Sequence, residues 1–284
     1  MNTADILNAY LNGQRLFRSF NKFPSQATGA GIWFDLSLSS GNPQAQFYFA
    51  TPQVALALAR STDGGLDHGD AKSGYNKYLH KLDIQTVGAV VPMQLELLDY
   101  LLYYPGIAMD PGEYDMVNNV PLPRYSGYEA LNVQIMVIEQ NSYGGGATFT
   151  INYTNSQGVS NRNTPTITCN SQTVTGTIAT SALATAGSCG RFVALQQGDT
   201  GVQSVQNLTI INPDTGLLCV VLVKSLATFS IQENVVPSQF NLLDDFSILP
   251  KIKDDAYLNF ICQPQASLAG VQIIGNIHTF WSNA

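Results

Sequence analysis

Residues 217-LLCVVLVKSLATFSI-231 decide how the chain folds. The apolar run 217-LLCVVLV-223 is only about a third of the roughly 20 residues that a membrane-spanning helix needs, so it reads as a buried strand. Ala227, Phe229 and Ile231 then continue with a period of two, the spacing at which side chains share one face of a strand.

The same pattern extends on both sides. Phe149, Ile151 and Tyr153 form one such row, Leu258, Phe260 and Cys262 a second, and Val271, Ile273, Ile277 and Trp281 a third. Further strand-like runs lie at 131 to 139, 172 to 180, 191 to 195 and 204 to 211. They are punctuated by Gly144-Gly145-Gly146, by 212-NPDTG-216 and by Pro264. Short strands at regular spacing with turn residues between them imply a mainly β chain whose C-terminal part is an antiparallel sandwich or jelly roll.

Upstream of residue 124 the reading is mixed α and β. Ile6, Leu7, Tyr10 and Leu11 have helical spacing over residues 3 to 12, with Thr3 placed to cap, Asp5 in the first turn and Gly13 to end the helix. A second helix is expected at 52 to 60 behind Pro52. A third is expected at 92 to 104, where Leu95, Leu98, Leu101 and Leu102 suggest one face between Pro92 and Pro105. The alternation 33-WFDLSL-38 suggests a strand, and Pro105, Pro111, Pro121 and Pro123 mark a boundary. The expected division is an α+β region with a docking arm at 1–124 and a β-sandwich at 125–284.

Only 12% of the residues are charged, about half the usual share, and Ser, Thr, Asn, Gln and Gly supply the polarity, as in 141-NSYGGGATFTINYTNSQGVSNRN-163. Neutral hydrogen-bonding groups are covered by a partner at lower desolvation cost than lone charges, which favours an assembly protein over a freely diffusing enzyme. A formal charge of -7 is the wrong sign for binding nucleic acid through its phosphates, and it gives no attraction to an anionic membrane. The N-terminus lacks the basic and apolar regions of a secretory signal, so cytosolic synthesis is expected. Arg15, Arg18 and Lys22 nonetheless concentrate positive charge near Phe17, Phe20 and Phe23 on an arm that could dock on its own domain or on a neighbour.

No catalytic constellation stands out. The segment 63-DGGLDHGD-70 offers Asp63, Asp67, His68 and Asp70, but not at the spacing of a twelve-residue calcium loop. His68, His80 and His278 are remote from any nucleophile motif, and the adjacent acids Asp244-Asp245 and Asp254-Asp255 point to opposite sides of an extended chain. Neither 144-GGG-146 nor 29-GAG-31 has the context of a phosphate loop. Tyr100, Tyr103, Tyr104, Tyr125 and Tyr128 could stack on sugars, although packing is the simpler use. Cys169, Cys189, Cys219 and Cys262 show no zinc spacing. Buried thiols are the plain reading, with a bridge between Cys169 and Cys189 as the alternative. No catalytic, cofactor-binding or metal residue is therefore assigned.

The N-terminal arm, the segment 99-DYLLYYPGI-107, the linker 118-NNVPLPRYSGYE-129 and the stretch 190-GRFVALQQGDTGVQSVQNLTI-210 together resemble structural proteins of tailed-bacteriophage virions. The resemblance implies a non-enzymatic, multicopy component found in the virion and made in the host cytoplasm. Its expected place is capsid-associated, as a decoration or minor capsid subunit. Its expected partners are copies of itself, in a homo-oligomer with a trimer favoured by analogy, and other virion proteins. A tail, baseplate or collar component is the structural alternative, and a carbohydrate-binding or receptor-binding sandwich is the alternative from another class.

Overall fold

The computed structural model describes residues 3–142, 144–172, 174–181, 187–245 and 249–283, without the side chains of residues 3, 4, 128, 244 and 245. The Thr3 cap, the ring of Tyr128 and the Asp244-Asp245 carboxylates therefore lie outside the described residues. Helix α1 (Thr3–Leu11) leads into β1 (Arg15–Phe23), β2 (Phe34–Asp35), β3 (Ser40–Asn42) and β4 (Leu56–Ala57). The short α2 (Arg60–Asp63) precedes β5 (Tyr75–Val87), β6 (Met93–Ala108), β7 (Gly112–Asp115), β8 (Val133–Asn141) and β9 (Thr148–Asn155). Next come β10 (Arg162–Asn163), β11 (Ile167–Thr168), β12 (Val202–Asn212), β13 (Leu217–Ile231) and β14 (Ser238–Asn241). After them α3 (Leu242–Asp245), β15 (Lys251–Ile252), β16 (Tyr257–Gln263) and β17 (Gln272–Asn283) complete the chain.

The protein is mainly β, as expected, and its strands form three antiparallel sheets among the described residues. The inner sheet runs β2-β16-β6-β13-β8, with β4 extending the β16 side of β6. A first flanking sheet runs β14-β5-β17-β1-β3, and a second runs β10-β9-β12-β7. All three sheets combine strands from before and after residue 124, so hydrogen-bonded ladders cross the expected domain boundary.

The long pair β6 and β13 organises all three cores. Leu218, Val220 and Leu222 of β13 pack with Phe149, Ile151 and Val205 of the second flanking sheet. Ala227, Phe229 and Ile231 pack with Leu82, Ile84 and Ile273 of the first. A register shift between Ser225 and Ala227 inserts one residue, which keeps both rows on one face of the strand despite the change from even to odd numbers. The alternate residues Cys219, Val221 and Val223 face a third core built with Trp33, Leu38, Tyr48 and Leu58.

That two-sided burial corrects the helix expected at 92 to 104, which is instead the strand β6. Leu95 and Leu97 enter one core, Leu98 and Tyr100 another, and Leu101 and Leu102 a third. With nearly every position apolar, a helical spacing can be picked out of a strand that has no polar face. The helix expected at 52 to 60 is also absent. Gln53 has φ of 62°, and Leu56 and Ala57 pair with Tyr103 and Leu102, extending β6's partner row beyond the reach of β16. Of 33-WFDLSL-38 only Phe34 and Asp35 are strand, followed by a 3-10 turn. Residues 191 to 195 form no strand, and the 172–180 run contributes isolated bridges at Thr177 and Ile178. Helix α1 matches its expected range, and Gly13 turns the chain at φ of 64°.

One ion pair ties the linker to this frame. Arg124 donates from Nε and Nη2 to the two Asp99 carboxylate oxygens at 3.0 and 2.7 Å, while Nη1 and Nη2 also reach the carbonyls of Leu58 and Tyr100. The Asp99 side chain is wholly buried and that of Arg124 is 8% exposed. Arg124→Ala leaves a buried carboxylate without its partner and is expected to cost about 3–5 kcal/mol in chemical denaturation. A loss below about 1 kcal/mol would contradict this role for the pair.

Candidate interaction surface

Most of the titratable residues singled out in the sequence are engaged by neighbours, whether buried, as His68 is, or exposed, as Asp67 and Asp70 are. His68 is buried, with Nε2 at 2.9 Å from the Ala256 carbonyl and Nδ1 at 3.0 Å from Lys77 Nζ. Burial first, and the Lys77 charge second, pull its pKa down to about 4. Asp67 accepts from Arg18 at 2.6 Å and Arg60 at 3.2 Å, and Asp70 accepts from Arg60 at 2.5 Å. Asp63 accepts from the Ala59 amide at 3.0 Å, at the start of α2, and Asp255 takes the amide and hydroxyl of Ser61, both at 2.7 Å. Asp254 is exposed. No group of three or more His, Cys, Asp or Glu side chains placed for a metal occurs among the described residues.

The tyrosines serve the cores. Tyr100, Tyr103, Tyr104 and Tyr125 are all buried, so none offers a ring to an external sugar. The four cysteines are free thiols, and burial drives that of Cys169 up to about 12.

A buried polar anchor that sequence reasoning missed holds the layer over the third core. Asp35 is fully buried. It accepts from the Ser37 amide at 2.9 Å, the Ser37 hydroxyl at 2.6 Å, Tyr48 OH at 3.1 Å and Tyr100 OH at 2.6 Å. Desolvation raises its pKa, and these donors oppose the rise. The signal was an acid inside an apolar alternation, a position that needs converging donors. Lys22 is likewise buried and donates to the carbonyls of Ser39 and Pro43, both at 2.9 Å, while burial lowers its pKa to about 8. It does not contribute to the expected basic arm. Outward positive charge on β1 comes from Arg15 and Arg18.

What the fold leaves exposed is the outer face of the first flanking sheet. Its side chains stand in rows across β1, β17 and β5: Asn21, Ile274 and Gln85, then Ser19, Asn276 and Asp83, then Phe17, His278 and Lys81. The intervening positions Phe20, Ile277 and Leu82 face the core. A groove of about 440 Å³ follows the first two rows, with Asp83 as its one acid among the described residues. Gly275 lies in its floor, and a Cβ there would point inward against the Asp83 carbonyl and the Phe20 ring.

At the α1 end a second groove of about 510 Å³ is lined by Tyr10, Arg15, Phe17, His80 and His278. Tyr10 OH lies 2.9 Å from His80 Nδ1, and the Arg15 guanidinium stands 4.8 Å from the Tyr10 ring centre. His278 Nε2 is 2.7 Å from Asp83, which also takes Lys81 at 2.9 Å. Burial alone would raise the Asp83 carboxyl, but the hydrogen bonds from Lys81 and His278 outweigh it and hold the group below its usual range. Phe17 in this groove is 58% exposed, and Leu7 and Leu11, on the same helix as Tyr10, are 57% and 74% exposed. The arm is docked on its own chain through Ala9 and Phe20, both buried, yet its outer apolar side chains are uncovered.

No family model and no curated protein matches the chain. Among solved structures, a mutant VP2 protein of infectious bursal disease virus in derived T=1 particles aligns at 9% identity and a TM-score of 0.17, covering 95% of this chain and 78% of that one. The VP2 subviral particle of the same virus aligns at 10% identity and 0.16, covering 95% and 81%. Likenesses at these scores carry no argument about fold or function.

The buried His68 gives a pH signature. Its folded pKa lies below the unfolded value of about 6.5, so its contribution is present in full above pH 6.5 and is lost as pH falls toward 4. Relative to His68→Gln, the wild-type chain should lose about 3 kcal/mol of unfolding free energy across that window. Parallel stability curves for the two proteins would show that His68 protonates freely in the fold.

Proposed function

We propose that the chain is a non-enzymatic structural subunit of a virion, capsid-associated and assembling with copies of itself and with other particle proteins. The observation that carries this reading is the outer face of the first flanking sheet, where Asn, Gln and Ser side chains stand in cross-strand rows beside the uncovered Leu7, Leu11 and Phe17. Such a face combines apolar area with polar groups that a partner satisfies cheaply, as the centre of a protein interface requires. The buried acids and bases, by contrast, are tied to neighbours inside the cores, where they serve packing. The tailed-phage origin rests on sequence resemblance. A collar, tail or baseplate position differs from the capsid position only in where the subunit maps on the particle.

Sedimentation of the purified chain and protein analysis of isolated particles test the proposal together. The expected result is a defined homo-oligomer in solution and stoichiometric presence in particles. A chain that stays monomeric at every concentration and is missing from particles overturns it.

A further inference from the structure

We infer that copies of this chain join head to tail by strand addition, with the open edge of β1 pairing antiparallel with the open edge of β7 on a second copy. The inference rests on the assembly role proposed above. The edge of the long strand β8, which ends the inner sheet, is managed. That edge is covered by residues 177–179 and Val193, through Glu139 N to Thr177 O, Ala179 N to Val137 O and Val193 N to Ile135 O. In β1, however, β3 pairs only with residues 21 to 23, and Arg15 to Arg18 have β17 on one side and no strand on the other among the described residues. β7 ends its sheet, with β12 on one side and no strand on the other over Gly112–Asp115.

The two edges fit in charge, main-chain direction and face. In β1 the Ser19 carbonyl is reached by Asn42 Nδ2 from β3, so the main-chain groups of odd-numbered residues turn to the open edge. In β7, Met116 N donates to Gln206 O, which turns the even-numbered residues toward β12 and leaves Glu113 and Asp115 outward. Pairing Arg15 with Asp115 and Phe17 with Glu113 therefore matches outward-turned donors and acceptors on both strands, with the Phe17 carbonyl exchanging its 3.3 Å bond from Arg18 Nη1 for the partner strand. The same register sets Leu16 against Tyr114, which packs at the rim of the second core, and it places Arg18 opposite Gly112 with Asp110 two residues away. Arg15, Glu113 and Asp115 are all exposed. A two-fold pairing of β1 with itself would bring the arginine-bearing edges together, a like-charge arrangement that destabilises strand pairs. Because β1 and β7 are different surfaces, the contact is heterologous and builds a ring or an open array.

Sedimentation velocity at low and high salt on the full chain, on Arg15→Asp, on Asp115→Arg and on the double swap tests this. Circular dichroism establishes that each variant is folded. Each single swap replaces an attractive cross-strand pair by a repulsive one and should weaken self-association about tenfold, and the double swap should restore most of it. Salt should weaken the wild-type association. Unchanged association in folded single variants, or a double swap as weak as the singles, overturns the strand pairing while leaving an assembly role through another face. A wild-type chain that never self-associates overturns both.

Discussion

Two-sided burial of the β6 and β13 pair is the constraint on which the rest of the structure depends. A strand packed on one face needs apolar side chains at alternate positions. β6, and β13 over residues 218–223, meet a core on both faces, and each strand spans the first and second flanking sheets along its length. That demand accounts for the near-continuous apolar sequence of β6 and of residues 217–223 in β13, beyond which β13 alternates with exposed Thr228 and Ser230. It also explains the bulges, since one inserted residue near Ser225 keeps the inward row facing inward as the strand passes from one core to the next.

Covering both faces has a second consequence. The layer over the third core comes from the irregular 33–58 segment, which brings backbone polar groups and an acid into a dry region. Asp35, with donors from Ser37, Tyr48 and Tyr100, and Arg124, bridging Asp99 to the carbonyls of Leu58 and Tyr100, satisfy those groups. Lys22, Asp35, Asp99 and Arg124 thus stand where irregular segments must be pinned. The outer face of the first flanking sheet carries mostly amides, hydroxyls and apolar side chains.

Much of the fold was legible in the sequence where one face of a strand meets solvent or a neutral layer. Phe149, Ile151 and Tyr153 alternate with polar residues and are all buried as their period requires. The helix α1 and its Gly13 stop were equally plain. The strand β6 was not, because burial on both faces removes the period that distinguishes strand from helix. The surface was half legible. Composition implied a neutral coat, but the rows that make it a surface arise from the register of β1, β17 and β5, which are far apart in sequence. Lys22 shows the same limit, since its sequence neighbours suggest an exposed basic arm while strand alternation turns it inward beside Ser39 and Pro43.

The account stands on the claim that other molecules cover the exposed face around α1, β1 and β17. Hydroxyl-radical footprinting of the assembled and the dilute chain measures that directly. The account predicts that Leu7, Leu11 and Phe17 react in the dilute chain and are protected on assembly, while side chains of the cores are unchanged. Equal modification of those three residues in both states, at concentrations where the chain is assembled, would contradict it.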